Sequence, residues 1–287
     1  DGGGGGCGGG GARGGGAPAG IPHGHHPMAF WHALAALIVT AALLEHWFAA
    51  RPRGPASAGR LRTNLAVFGI GTALSLVLAP MGASLMLALA DRPAWGGIAA
   101  IEPAWLSGLL AFLLLALPRY FPRRLCHLPG FWRIHAPHHS DAEVDCSTTL
   151  RHHPLELVID LPIYAIVLGL AGVSAAQLAG LSVAVLAWEM LAHANLNLPR
   201  WADRALGTFA VTPALHLVHH SVDPAEGNRN FGSILSVWDR LFGTFLRPAT
   251  APQRLGLATG TPDDQTLPGL LKQPLHSTGN TTAAARP

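Results

Sequence analysis

The chain has 287 residues, of which 49% are hydrophobic and only 12% charged, with a mean hydropathy of +0.32. Soluble domains carry about 25% charged residues, so half that share argues against an ordinary water-surrounded globule and for a bilayer as solvent. The formal net charge of +3 is too small, and the arginines too dispersed along apolar runs, for nucleic acid to be a partner.

Residues 1–27 form a Gly-rich tract ending in IPHGHHP. Such a sequence cannot bury a core and is expected to be a disordered tail, with His23, His25 and His26 solvated rather than ligating. A membrane-embedded domain is expected over 28–250. Its first apolar run is 29–50, long enough at about 1.5 Å per residue to cross a hydrocarbon core of about 30 Å. A loop with Arg51, Arg53, Arg60 and Arg62 follows, then a second run at 64–90 with a kink expected at Pro80. The third run, 104–118, ends at Arg119, Arg123 and Arg124. The positive-inside rule places both arginine-rich segments in the cytoplasm. A further apolar pair lies at 155–172 and 174–192, where Asp160 and Pro162 predict a shallower or re-entrant fourth segment. The fold class expected is therefore all-α, a membrane bundle of about 4–5 apolar helices. A His-rich helical metal domain is expected on its cytoplasmic face, with the metal-binding part over about 119–246. The stretch 251–287, rich in Pro, Thr and Gly, is expected to be a second disordered tail.

Histidine carries the chemistry. The chain has 16, and two segments repeat one spacing: His135, His138 and His139 in FWRIHAPHHSD, and His216, His219 and His220 in ALHLVHHSVD. At this histidine content an HxxHH is expected by chance roughly 0.05 times in such a chain, so two are not coincidental. Positions i, i+3 and i+4 share a helix face, so three imidazoles are expected to converge on one point. Imidazole suits iron, zinc, copper or nickel. His127, eight residues before His135, and His193, closing the last apolar run, join the candidate set; an ionisable residue at membrane depth calls for a functional reason. His152 and His153 lie nearby, His153 more plausibly orienting a ligand than binding metal. His32 and His46 read as interfacial polar residues. Cys7, Cys126 and Cys146 lack CxxC spacing, which argues against a thiolate zinc site.

These stretches, with STTLRHHPLE, HANLNLP and NRNFGSILSVWDRLFGTF, resemble the fatty acid hydroxylase (sterol desaturase) superfamily of membrane proteins from about Tyr120 to Phe245. The resemblance implies a di-iron centre held by His127, His135, His138, His139, His193, His216, His219 and His220. It also implies O2 as co-substrate, a membrane lipid or sterol-type substrate that is hydroxylated or desaturated, and an external electron-donor protein. Asp141, His153, Asn230 and Asp239 are expected as outer groups that hold the rings. One departure stands out. The family's first motif has a His where this chain has Arg123, and an Asp where it has Ala116. Arginine offers no lone pair and stays protonated, and Pro122 is expected to disturb the helix that would set position 123 one turn before His127. A second reading follows: a degenerate member that binds metal without oxidation. A proton-relaying transporter would instead place its histidines within spans beside acids, whereas both triads lie in polar sequence.

Overall fold

The computed structural model describes residues 2, 27–52, 54, 57–90, 97–247, 250–252 and 254–275. The Gly-rich tract with its three histidines, and the end of the chain from His276, lie outside the described residues. The helices in chain order are α1 (Pro27–Phe48), α2 (Ser57–Ala90), α3 (Ala104–Cys126), α4 (Trp132–His139), α5 (Glu156–Leu170), α6 (Ala175–His193), α7 (Arg200–Leu206), α8 (Pro213–His219), α9 (Pro224–Gly227), α10 (Val237–Leu241) and α11 (Leu267–Lys272). Among the described residues there is no strand, only isolated bridges such as Ala49 to Leu196.

The all-α expectation holds, and the spans follow from composition. Three helices, covering Gly59–Leu89, Ala104–Cys126 and Ala175–His193, are long and apolar enough to cross a membrane. Large apolar side chains on α2, such as Val77 at 71% and Met81 at 70% exposure, face outward. In water that arrangement would be costly; in hydrocarbon it is the relaxed state. The protein is thus a helical membrane protein. Helix α5 has 15 residues, a reach of roughly 22 Å, short of a full crossing. It packs against α2 and α3 and turns into α6 within residues 171–174, as expected of a shallow hairpin. Ser174 and Gln177 form a capping box that fixes where α6 begins.

Helix α3 departs from expectation. It does not end at 118 but continues through Pro118 and Pro122 to Cys126, with His127 as its C-cap. Each proline removes one backbone donor, yet tertiary packing holds the helix together. Tyr120 is fully buried, hydrogen-bonded to Thr244 at 2.8 Å and set edge-on to Phe231. Ala116 lies in the apolar core with Leu115, Leu168 and Ile234.

Of the two arginines on α2, Arg60 and Arg62, the first is structural. Arg60, 6% exposed, pairs with the fully buried Asp141 at 2.8 Å and with Asp145. Burial alone would raise the Asp141 carboxyl, but the Arg60 and Arg151 guanidiniums reverse this and hold it below its usual range. Asp145 in turn caps the short 3-10 helix Cys146–Leu150 in a capping box with Thr148. Arg60→Ala leaves a buried carboxylate without its main partner, a loss of about 3–5 kcal/mol. Thermal melting of the detergent-solubilised protein should show the midpoint dropping by several degrees, and Arg60→Lys should recover part of it.

The stretch 254–275, expected to be disordered, is ordered and docked. Leu255 bridges to Ser221, Gln265 donates to the Ser140 carbonyl at 2.7 Å, and Arg151 donates to the Asp264 carbonyl at 2.6 Å. Leu270 of α11 is fully buried. Its composition offers no long apolar run, so hydrogen bonds to the histidine-bearing loops fix it in place.

Candidate metal centre

Eight imidazoles converge between the ends of α3, α4, α6 and α8. They form two groups, and within each the nearest ring nitrogens lie within 4.8 Å of one another. His127, His135, His139 and His219 make the first; His138, His193, His216 and His220 make the second. All eight rings are buried. The groups adjoin, with His139 stacked on His220 at 4.6 Å and His138 at 4.7 Å from the same ring. Every histidine expected as a ligand is in this assembly.

Contrary to the expectation from helix spacing, the three rings of each triad do not converge on one point. In each HxxHH the i and i+4 rings (His135 and His139; His216 and His220) enter one group, and the i+3 ring (His138; His219) enters the other. Successive helical positions are rotated by about 100°, so a ring at i+3 and its neighbour at i+4 can reach different centres when the helix end lies between them. Each helix thus contributes to both groups, and each group is closed by one ring from a longer helix, His127 or His193. Helix α8 is placed by Thr212, whose hydroxyl caps its first turn, and by Pro213 at its first position.

Local partners decide which nitrogen carries the proton. His135 Nδ1 faces a Glu156 carboxylate oxygen at 3.0 Å. His219 Nδ1 faces the Arg229 carbonyl at 2.9 Å, His193 Nδ1 the Glu189 carbonyl at 2.7 Å, and His127 Nδ1 the Asn228 side-chain oxygen at 3.2 Å. Each acceptor demands an N–H at Nδ1, which leaves the Nε2 lone pair directed into the assembly. Those nitrogens crowd together: Nε2 to Nε2 is 3.2 Å for His127 and His139, 3.2 Å for His193 and His138, and 2.9 Å for His216 and His193. Among the described residues, the Nε2 atoms of His135 and His219 and both ring nitrogens of His220 have no hydrogen-bond partner. Burial pushes the His127, His135, His138, His139, His216, His219 and His220 rings below their ordinary pKa, with neighbouring rings pushing the same way. They are therefore neutral, the form that binds metal. Buried lone pairs without donors are costly, and ions at about 2.0–2.1 Å from each nitrogen would bring cis nitrogens to roughly the separations seen. The donor set fits a pair of imidazole-ligated metal ions.

The expected outer groups are elsewhere. Asp141 serves Arg60 and Thr148; Asn230 bonds the backbone of Leu215 and Leu246; Asp239 accepts from the Phe231 and Gly232 amides; His153 reaches the Leu271 carbonyl. None touches a ligand ring nitrogen. They brace loops: Asn230 takes a left-handed backbone, φ 54°, and a Cβ on Gly232 would meet the Leu235 carbonyl at 2.6 Å. The groups that do hold rings are Asn228, Glu156, Thr149 and two backbone carbonyls. His152 joins neither group; it shares Glu156 with His135 and stacks on His138 at 4.3 Å. Glu156→Gln should weaken metal retention about 10–100-fold, read by competition against a chelator, because an amide holds the His135 ring without the carboxylate's charge.

Arg123 is buried one turn before His127, yet neither group draws on it. Its guanidinium lies 3.6 Å from Glu189 and 3.4 Å from the Gly232 carbonyl. Glu189, one turn before His193, also binds Arg119 at 2.5 Å.

Residues 108–244, which hold all eight rings, match the fatty acid hydroxylase family. The ornithine lipid hydroxylase of Rhizobium tropici is 31% identical over 141 residues, 49% of this chain and 42% of its own length. Alkylglycerol monooxygenases are similar too: that of Danio rerio is 28% identical over 53% of this chain and 34% of its own, and that of Homo sapiens 28% over 47% and 29%. The chain spans less than half the length of these curated relatives. No solved structure matches it.

Proposed function

From the match of residues 108–244 to the fatty acid hydroxylase family, we propose that this chain is a membrane-bound, non-haem di-iron oxygenase that hydroxylates or desaturates the hydrocarbon of a lipid. The observation that supports it most is the paired set of four buried imidazoles with lone pairs directed inward. Iron bound there would supply the redox chemistry of O2 that breaks a lipid C–H bond, which redox-inert zinc does not offer.

The chain's own residues do the rest. Glu156, Asn228 and the Glu189 and Arg229 carbonyls keep protons on the outer ring nitrogens and so hold the lone pairs in place. Burial of all eight rings keeps water from the centre. The apolar exteriors of α2, α3 and α6 let a lipid approach from the bilayer, and electrons arrive from a separate donor protein on the cytoplasmic face. The relatives' names favour polar lipids over sterols as the first substrates to test.

Arg123 motivates the alternative of a metal-binding protein that does not oxidise. Against it, both groups of four are complete without position 123. The test is iron content and turnover together. Protein purified in detergent should hold about two irons per chain and form an oxidised lipid under O2 with a reductant. No metal above background removes the proposal, and two irons without product favours the alternative.

A further inference from the structure

A cavity of about 630 Å³ opens where α6 leaves the membrane, on the far side of the wall formed by Ala194, Leu215 and Leu217. Its volume is that of a small-ligand site, and its lining sets a cluster of charged groups among Ala, Leu and Pro side chains. Arg51, Arg200, Arg204 and Arg247 border it, against the single acid Asp203. The acid is already engaged, by Arg247 and by the Thr212 hydroxyl at 2.5 Å. Arg51 is fixed by Asn195 and the Val144 carbonyl. Arg200 and Arg204, one helical turn apart on α7, have no hydrogen-bond or ion-pair partner among the described residues. Two free guanidiniums on one helix face, over a cavity that two anchored arginines keep positive, form an anion receptor without its anion's charge balanced from within.

Location narrows the anion. The Ala49–Leu196 bridge ties the end of α1 to the residues just past α6, so the cavity mouth is level with the ends of two apolar helices. Trp47 at 74%, Phe48 and Trp201 at 75% exposure surround that level, the aromatic belt of a membrane–water interface. Basic pockets at helix ends on such an interface take lipid headgroups. We infer that this cavity binds the phosphate headgroup of an anionic membrane phospholipid, with Arg200 and Arg204 as its principal donors. The site is distinct from the metal centre, whose ligands His193 and His216 lie behind its wall.

Binding is measured without turnover, so its outcome is independent of the oxygenase reading. Full-length protein in a neutral detergent is titrated with short-chain fluorescent phosphatidylglycerol, with phosphatidylcholine of the same chains, and with inorganic phosphate as competitor. Phosphatidylglycerol should bind saturably and more tightly than phosphatidylcholine. Arg200→Gln with Arg204→Gln should weaken it by roughly thirtyfold, taking each interfacial arginine at its usual contribution, while exposed Arg62→Glu, outside the cavity, leaves it unchanged. Equal affinity for the two lipids overturns the inference, whether or not the variant folds. So does displacement by inorganic phosphate as tight as phosphatidylglycerol itself, which would mark a free-anion site, and so does a correctly folded double variant that binds as the parent does.

Discussion

His220→Ala should leave about one metal ion per chain where the parent holds about two, and lower lipid oxidation at least about a hundredfold, the upper end of what losing a mere outer partner costs. His219→Ala should do the same to the other ion. The two residues are adjacent in sequence, yet His220 belongs with His138, His193 and His216, and His219 with His127, His135 and His139. A double variant should therefore lose both ions, whereas His216→Ala with His220→Ala should still retain one. Metal analysis by mass spectrometry after dialysis reads all four proteins. A single shared site predicts a different pattern, with every variant losing metal together. His220 is the sharpest probe because neither of its ring nitrogens has a hydrogen-bond partner among the described residues, so its removal breaks no scaffold contact there beyond packing.

How much of this was legible in sequence depends on the range of the interaction concerned. The repeated HxxHH and the flanking His127 and His193 pointed to all eight rings that gather in the fold, because candidate ligands are written in residue type and local spacing. The partition into two groups was not, since it depends on where the end of each helix sits between the centres. The outer acceptors were misassigned for two reasons. Asn228 meets His127 across 101 positions, and the Glu189 and Arg229 carbonyls are backbone groups with no side-chain signature. Glu156 had a local signal, four residues after His152 on the helix that follows. Two prolines made α3 look finished at 118, although burial of Tyr120 outweighs the lost donors. Residues 254–275 lacked an apolar period, and only contacts with distant Ser140, Arg151 and Ser221 order them.

Glu189→Gln should destabilise the protein as much as Arg60→Ala does, by about 3–5 kcal/mol. The carboxylate lies between the guanidiniums of Arg119 and Arg123, at 2.5 and 3.6 Å, and both Arg123 and Glu189 are under a tenth exposed. Removing its charge leaves two cations side by side in a helix bundle, with the Arg123 guanidinium buried and only Arg119 partly exposed. The backbone carbonyl of residue 189 still orients His193, so metal content should fall less than stability does, and the melting midpoint is the primary readout. Arg123→His in the natural background removes one of those cations while leaving Arg119 paired. It should therefore cost less than Glu189→Gln and should not raise the metal count above about two, because both groups already have four nitrogens without it. A rise from one ion to two in that variant would show that the natural centre is defective at position 123, and the reading of Arg123 as the counter-charge of Glu189 would give way to that of a lost ligand.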